Sequence, residues 1–205
     1  MSSPKTLLQM VGVNGGHALL SDSAVVVIDA QNEYVNGKVP LHGVDAALDQ
    51  IARLLDVARS EGAPIIHVVH RGRAGGLFDP FSKSFQIHPK VAPAAGEKIV
   101  EKELPNAFAR TSLQLALRAT ERRSLIVAGF MTHLCVSATV RAALDHSWRT
   151  TVVADAGATR DLPCPFGGDP IPAAEVHRGA LAALADRFAS IARVADFANE
   201  AYITA

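Results

Sequence analysis

The chain lacks most features that would set it apart from an ordinary compact enzyme. It has only two cysteines, Cys135 and Cys164. That is too few for a disulfide framework, so a reducing cytoplasm is the expected compartment. Its 20 Lys and Arg cancel its 20 Asp and Glu. No basic surplus argues for a nucleic-acid partner, and no acidic block argues for a disordered tail. No apolar run approaches the roughly 18 residues of a membrane span, and the first twenty residues lack the charged start and long apolar stretch of a signal peptide. A Gly-x-Gly-x-x-Gly fingerprint and a P-loop are both missing, which weighs against a nucleotide binder. There is no internal repeat and no low-complexity segment.

What is present is a large apolar fraction, 49% of the chain, enough for one substantial core. Residues 1–22 read as an N-terminal extension with a turn at Gly15-Gly16, and residues 23–205 as a single domain. Residues 24–29 form a continuous apolar run ending in Asp29, the mark of a strand buried on both faces. Helical spacing follows at Val44, Ala47, Leu48, Ile51, Leu54, Leu55 and Ala58, and stops at Gly62-Ala63-Pro64. Further strands are expected at 64–70, 98–102, 125–128 (an apolar run that breaks at Gly129), 150–155 and 189–194. Helices are expected at 111–120, capped by Thr111 with Leu113, Leu115 and Leu117 inside, then from Cys135 to His146, and at 173–188. The long connections 71–96 and 156–171 are rich in Gly and Pro. Strands alternating with helices predict an α/β three-layer sandwich: a mostly parallel six-stranded sheet with helices on both faces.

In such sheets ligands bind at the carboxyl ends of the strands. The residues just past each run are therefore the informative ones: Asp29, His70, Lys102, Gly129 to Cys135, and Asp155. Residues 125–136 pass from strand to turn to helix. A thiol placed there gains a helix N-terminus, which favours thiolate. Alone, Cys135 reads as a small buried hydrophobe, Lys102 as a surface ion-pair lysine and Asp29 as a loop cap. Together they supply a nucleophile, a cation to stabilise it and a carboxylate to take its proton. Backbone N–H groups at the start of the helix would complete an oxyanion hole.

Four motifs then carry a family resemblance: Val-Val-Val-Ile-Asp29-Ala-Gln31-Asn32-Glu-Tyr34; Val-Glu-Lys102 with Asn106-Ala-Phe108-Ala-Arg-Thr111; Ala-Gly129-Phe-Met-Thr-His-Leu-Cys135-Val-Ser-Ala-Thr139; and Val-Val-Ala-Asp155-Ala156. In this order, over about residues 22–195, the chain resembles the isochorismatase-like cysteine hydrolases, the group that includes nicotinamidases and N-carbamoylsarcosine amidohydrolase. The resemblance implies an Asp29–Lys102–Cys135 triad. It also implies a cis peptide at Phe130–Met131 and an oxyanion hole from the N–H groups of Met131 and Cys135. The implied chemistry is hydrolysis of a small amide or ureido C–N bond through a thioester. Family members that cleave isochorismate, a vinyl ether, do not use this cysteine. An isochorismatase-type ether hydrolase and a non-catalytic protein that retains the fold are the alternatives.

Gln31, Tyr34, His70, Phe108, Phe130 and Met131 are the expected substrate contacts. The nicotinamidase Asp-x-His metal segment does not follow the second strand, so no metal and no other cofactor is expected. His67 and His70 point to opposite faces of an extended segment; His67 reads as a core or loop histidine. Phe78, Phe81, Phe85 and Phe108 either wall an apolar pocket or pack under the long loop, and the 71–96 loop is either a lid or an oligomer interface. His133 either steers a ligand or is simply exposed. Asp155 reads as a brace for its strand end, and Cys164 as incidental. The expected partners are a small-molecule substrate and further copies of the chain, as a homodimer or homotetramer through the alanine-rich helix 138–144.

Overall fold

The structure, a computed structural model, describes residues 3–13 and 16–198. Gly15 of the expected Gly15-Gly16 turn, and the last residues of the expected 23–205 domain, lie outside the described residues. Among the described residues there are six strands: β1 (Ser23–Ile28), β2 (Ile65–His70), β3 (Lys98–Lys102), β4 (Ser124–Phe130), β5 (Arg149–Ala158) and β6 (Ser190–Ala192). They form one sheet in the order β3-β2-β1-β4-β5-β6, and every pairing is parallel. The helices among the described residues are α1 (Leu7–Met10), α2 (Val44–Ser60), α3 (Leu113–Arg118), α4 (Ser137–Asp145), α5 (Ala173–Arg187) and α6 (Val194–Ala198).

The period of two along β1 divides the core. Val25 and Val27 face one cluster, with Leu48, Ile51, Leu54 and Leu55 of α2 and Phe197 of α6. Ala24, Val26 and Ile28 face the other, with Leu113 and Leu117 of α3, Val140 of α4 and Leu184 of α5. A strand sealed on both sides must be apolar at nearly every position, and all six residues of β1 are buried. In α2 the seven apolar positions that define its stripe are all buried.

Several boundaries differ from the sequence expectation. Helix α3 is shorter, and its Leu115 is 73% exposed: two helical residues on from Leu113 is a rotation of about 200°. Thr111 does act at the helix start, accepting from Leu113 N at 3.1 Å and donating to Ala107 O at 2.5 Å. Strand β5 runs past Asp155 to Ala158. Its pairing jumps from Val127↔Val152 to Gly129↔Gly157, so residues 153–156 bulge and Asp155 does not end the strand. The Asp155 carboxylate instead accepts from Val194 N at 3.0 Å, which caps α6, a helix not foreseen. The connection after β2 carries short 3-10 turns at Lys83–Phe85 and Pro89–Val91. Residues before β1 are tied down through Leu7 N to Asp186 and Ala18 N to Thr151. Among the described residues no helix is long and apolar enough to cross a membrane.

Candidate active site

Three parallel strands deliver three side chains to one point. Asp29 follows β1, Lys102 ends β3, and Cys135 lies on the turn after β4. Asp29 sits at φ +52°, in the left-handed region that Asp tolerates better than most residues. Its N–H still donates to Val68 O at 2.8 Å, and its carbonyl accepts from Gln31 N at 2.8 Å. Gly129, at φ +114°, lets β4 pass against β1, because a Cβ there would lie 2.0 Å from Ile28 O. After Gly129 the Phe130–Met131 peptide is cis, and Thr132–Val136 form a single π-helical turn before α4. Thr132 anchors that turn to Ala158 O at 3.2 Å and to His177 Nδ1 at 2.9 Å.

The Lys102 ammonium is the centre of the cluster. Its Nζ lies 2.7 Å from Asp29 Oδ2, with both side chains 0% exposed. It donates to Cys135 Sγ at 3.3 Å and lies 3.0 Å from His70 Nδ1. Asp29, His70 and Cys135 present metal-ligand atoms within 4.8 Å of one another, and the cation that all three contact is Lys102. The Asp29–Lys102 contact is an ion pair with no well-aligned hydrogen bond to either carboxylate oxygen.

Burial sets the protonation states. It raises the Asp29 carboxyl above its ordinary range, opposed by the adjacent Lys102 charge. Burial, and then the Asp29 charge, push the Cys135 thiol up to about 12, against the pull of Lys102. Burial and the Asp29 charge thus oppose the thiolate that a helix N-terminus would favour. Cys135 is 3% exposed, it falls late in the π turn, and its nearest anion opposes ionisation. His70 is lowered to about 4 by burial and by Lys102, so it is neutral at physiological pH.

A cavity of about 540 Å³ opens over this cluster, lined by Tyr34, Lys38, Val39, Pro40, His70, Leu77, Phe78, Pro105, Met131, Leu134, Cys135 and Arg160. Tyr34, His70 and Met131 of the expected contacts are present. The other three are not, and each has a structural task. Gln31 is fully buried. Its amide donates to His70 O and Phe85 O and accepts from His70 N, clamping the 71–96 connection to β2. Phe130 is buried behind Tyr34, edge-on at 5.9 Å. Phe108 lies in the core cluster on the α3 and α4 side with its ring 4.7 Å from His146. Phe78 walls the cavity against Tyr34 and His70, whereas Phe81 is 84% exposed.

His67 is a core histidine, paired with Glu97 at 2.9 Å. His133 neither lines the cavity nor stands free; its Nδ1 meets Thr159 Oγ1 at 2.6 Å. Lys38 and Arg160 were not foreseen. Arg160 lies just past the end of β5, where the rule about strand ends would have found it had β5 been extended to Ala158. Its Nη1 donates to Asp161 O at 3.2 Å, its buried Nε has no partner, and among the described residues it has no carboxylate partner. Lys38 sits in a loop without periodicity, and its Nζ is held by Gly75 O and Gly76 O. Buried Glu33 joins the same walls, accepting from Lys38 N and Phe78 N.

Comparison with known proteins agrees with this geometry. The isochorismatase domain family matches residues 23–196. A crystal structure of an isochorismatase from Pseudomonas putida KT2440 superposes with a TM-score of 0.90 at 46% identity, covering 95% of this chain and 99% of that one. A secreted isochorismatase effector of Verticillium dahliae is 37% identical over 89% of this chain and 93% of its own. A maleamate amidohydrolase of Pseudomonas putida is 33% identical over 63% of this chain and 69% of its own. The sheet order, the site at its carboxyl edge and these matches make the chain a member of the isochorismatase-domain family.

Proposed function

We propose that the protein is a cysteine-dependent hydrolase of a small amide or ureido C–N bond. The observation that carries this reading is the convergence of Asp29 and Cys135 on Lys102, with Cys135 lining a cavity of small-molecule size. The amidohydrolase among its relatives supports it.

Asp29 is the base and Cys135 a neutral thiol. Asp29 takes the thiol proton as Sγ attacks the carbonyl carbon, so thiolate forms only as it is consumed. The C–O electron pair becomes an oxyanion, stabilised by the N–H groups of Met131 and Cys135; both residues line the cavity. Collapse breaks the C–N bond, and the nitrogen leaves with the proton held by Asp29. The remaining thioester is attacked by a water that Asp29 deprotonates. The second collapse expels Sγ, which recovers its proton, and releases a carboxylic acid. Lys102 keeps a positive charge beside both the carboxylate and the sulfur throughout.

Arg160 narrows the substrate. A guanidinium on the cavity wall without a carboxylate partner among the described residues fits an anionic group on the molecule that binds there. The preferred substrate is thus a small amide or ureide bearing a carboxylate. A panel pairing each carboxylate-bearing amide with its neutral methyl ester tests this. Cys135→Ala is expected to abolish turnover and Arg160→Met to erase the preference for the acid; full turnover by Cys135→Ala contradicts the reading. Two further parts of the proposal are a cytoplasmic location, testable by fractionation, and self-association as a dimer or tetramer, testable by light scattering of the eluted protein.

A further inference from the structure

Lys102 has three N–H donors and no acceptor. Its three contacts are Asp29 Oδ2, Cys135 Sγ and His70 Nδ1. Toward an ammonium, His70 Nδ1 can only accept, which places the histidine proton on Nε2. The ring is fixed in that orientation. Gln31 clamps the His70 backbone N–H and carbonyl, and Phe78 packs edge-on at 5.0 Å. Nε2 has no partner among the described residues and is not sealed from solvent, and His70 lines the cavity above Cys135.

We propose that His70 works at both ends: Nδ1 positions the Lys102 ammonium between Asp29 and Cys135, and Nε2–H donates a hydrogen bond to an oxygen of the bound substrate. This rests on the cysteine-hydrolase reading and extends it. Without the Nδ1 acceptor, a Lys102 donor loses its partner and the ammonium is free to leave the sulfur. Without Nε2–H, a carbonyl or carboxylate oxygen in the cavity loses a donor. The neutral histidine can serve both roles at once, because its two nitrogens differ.

Asparagine and glutamine substitutions separate the ends. His70→Asn places a carbonyl oxygen near the Nδ1 position and nothing near Nε2. His70→Gln places an amide N–H near Nε2 and leaves Lys102 without its acceptor. The experiment uses His70→Ala, His70→Asn and His70→Gln in the full chain, with Cys135→Ala as the inactive reference. Two readouts are taken: steady-state kinetics on the best substrate of the panel, and the pH dependence of Cys135 alkylation by iodoacetamide, which needs no substrate. A hydrogen bond to a charged group corresponds to roughly 10- to 100-fold. His70→Ala is expected to lower kcat by about that factor and to slow alkylation at a fixed alkaline pH, because the sulfur loses the cation that favours its ionised form. His70→Asn should restore kcat and the alkylation profile but keep a raised KM. His70→Gln should show the reverse: a near-normal KM and a low kcat. If His70→Asn and His70→Ala behave alike in kcat and alkylation, the positioning role is wrong. If His70→Gln and His70→Ala share the same KM, the donor role is wrong. Turnover retained by Cys135→Ala would instead overturn the cysteine mechanism, and the alkylation comparison would still decide whether His70 holds Lys102.

Discussion

Replacing Lys102 with methionine tests the buried ion pair on which the site depends. Methionine keeps most of the volume and removes the charge. Both partners are 0% exposed and 2.7 Å apart, so the change leaves an uncompensated carboxylate in the core. Breaking a buried pair from one side costs about 3–5 kcal/mol. The effect must depend on pH, and its sign follows from the raised Asp29 pKa. A carboxyl whose folded pKa lies above its unfolded value contributes stability that is fully present below the unfolded value, near 3.9, and is lost as pH rises through the folded pKa. Removing Lys102 takes away the charge that lowers the Asp29 pKa, so this loss becomes larger and extends to higher pH. The deficit of Lys102→Met should be small near pH 4.5 and larger at pH 8. Adding Asp29→Asn removes the stranded charge. The double variant should recover most of the deficit and stay about 1–3 kcal/mol below the parent, because the buried amide then lacks partners. Urea unfolding of the four proteins at both pH values measures the cycle. A deficit under about 1 kcal/mol at pH 8, or one that does not shrink toward acid, would refute the buried-pair account.

Gly129→Ala should destabilise the protein by roughly 2–5 kcal/mol, since the new Cβ meets only backbone of Ile28 at a left-handed φ; Gly62→Ala, where φ is +64° and nothing lies within 4 Å, is the control and should cost about 1 kcal/mol. Equal losses in urea unfolding would contradict the close-approach explanation. Burial pushes Glu97 up, but bonds from Arg59, Ala94 N–H and His67 outweigh it and bring it down to about 2. A depressed carboxylate stabilises above its unfolded pKa and stops doing so as pH falls through the folded value. Glu97→Gln should therefore cost on the order of 2–3 kcal/mol at pH 7 and should flatten the acid loss of stability between about pH 4.5 and 2; an unchanged acid limb counts against it. With Cys164→Ser as background, iodoacetamide should label Cys135 slowly at pH 7 and ever faster through pH 9, because the thiol lies near 12. A plateau below pH 8 would mean a resting thiolate.

Much of the architecture was readable because it follows from periodicity. The period of two in β1 and the helical stripe of α2 are local patterns, and the structure keeps both. Strand ends followed, and with them Asp29, His70, Lys102 and Cys135. What local pattern cannot carry is side-chain direction in irregular chain. Gln31 and Tyr34 are three residues apart, yet one clamps a loop and the other walls the cavity. Phe108 and Phe130 are buried because they pack between layers. Arg160 was missed because the bulge in β5 hides the last three residues of the strand, 156–158, from an apolar-run reading. The opposition to a thiolate was not legible for a related reason. The helix start is visible in sequence, but the desolvation and the Asp29 charge that outweigh it come from segments far apart in the chain.

The central claim is that Cys135 forms a covalent acyl-enzyme. Rapid acid quench during turnover of the best amide or ureide, followed by intact mass and peptide mapping, tests it directly. The account predicts a mass increase equal to the acyl group on the peptide carrying Cys135, absent from Cys135→Ala. Turnover with no adduct at any quench time, and undiminished in Cys135→Ala, would contradict it.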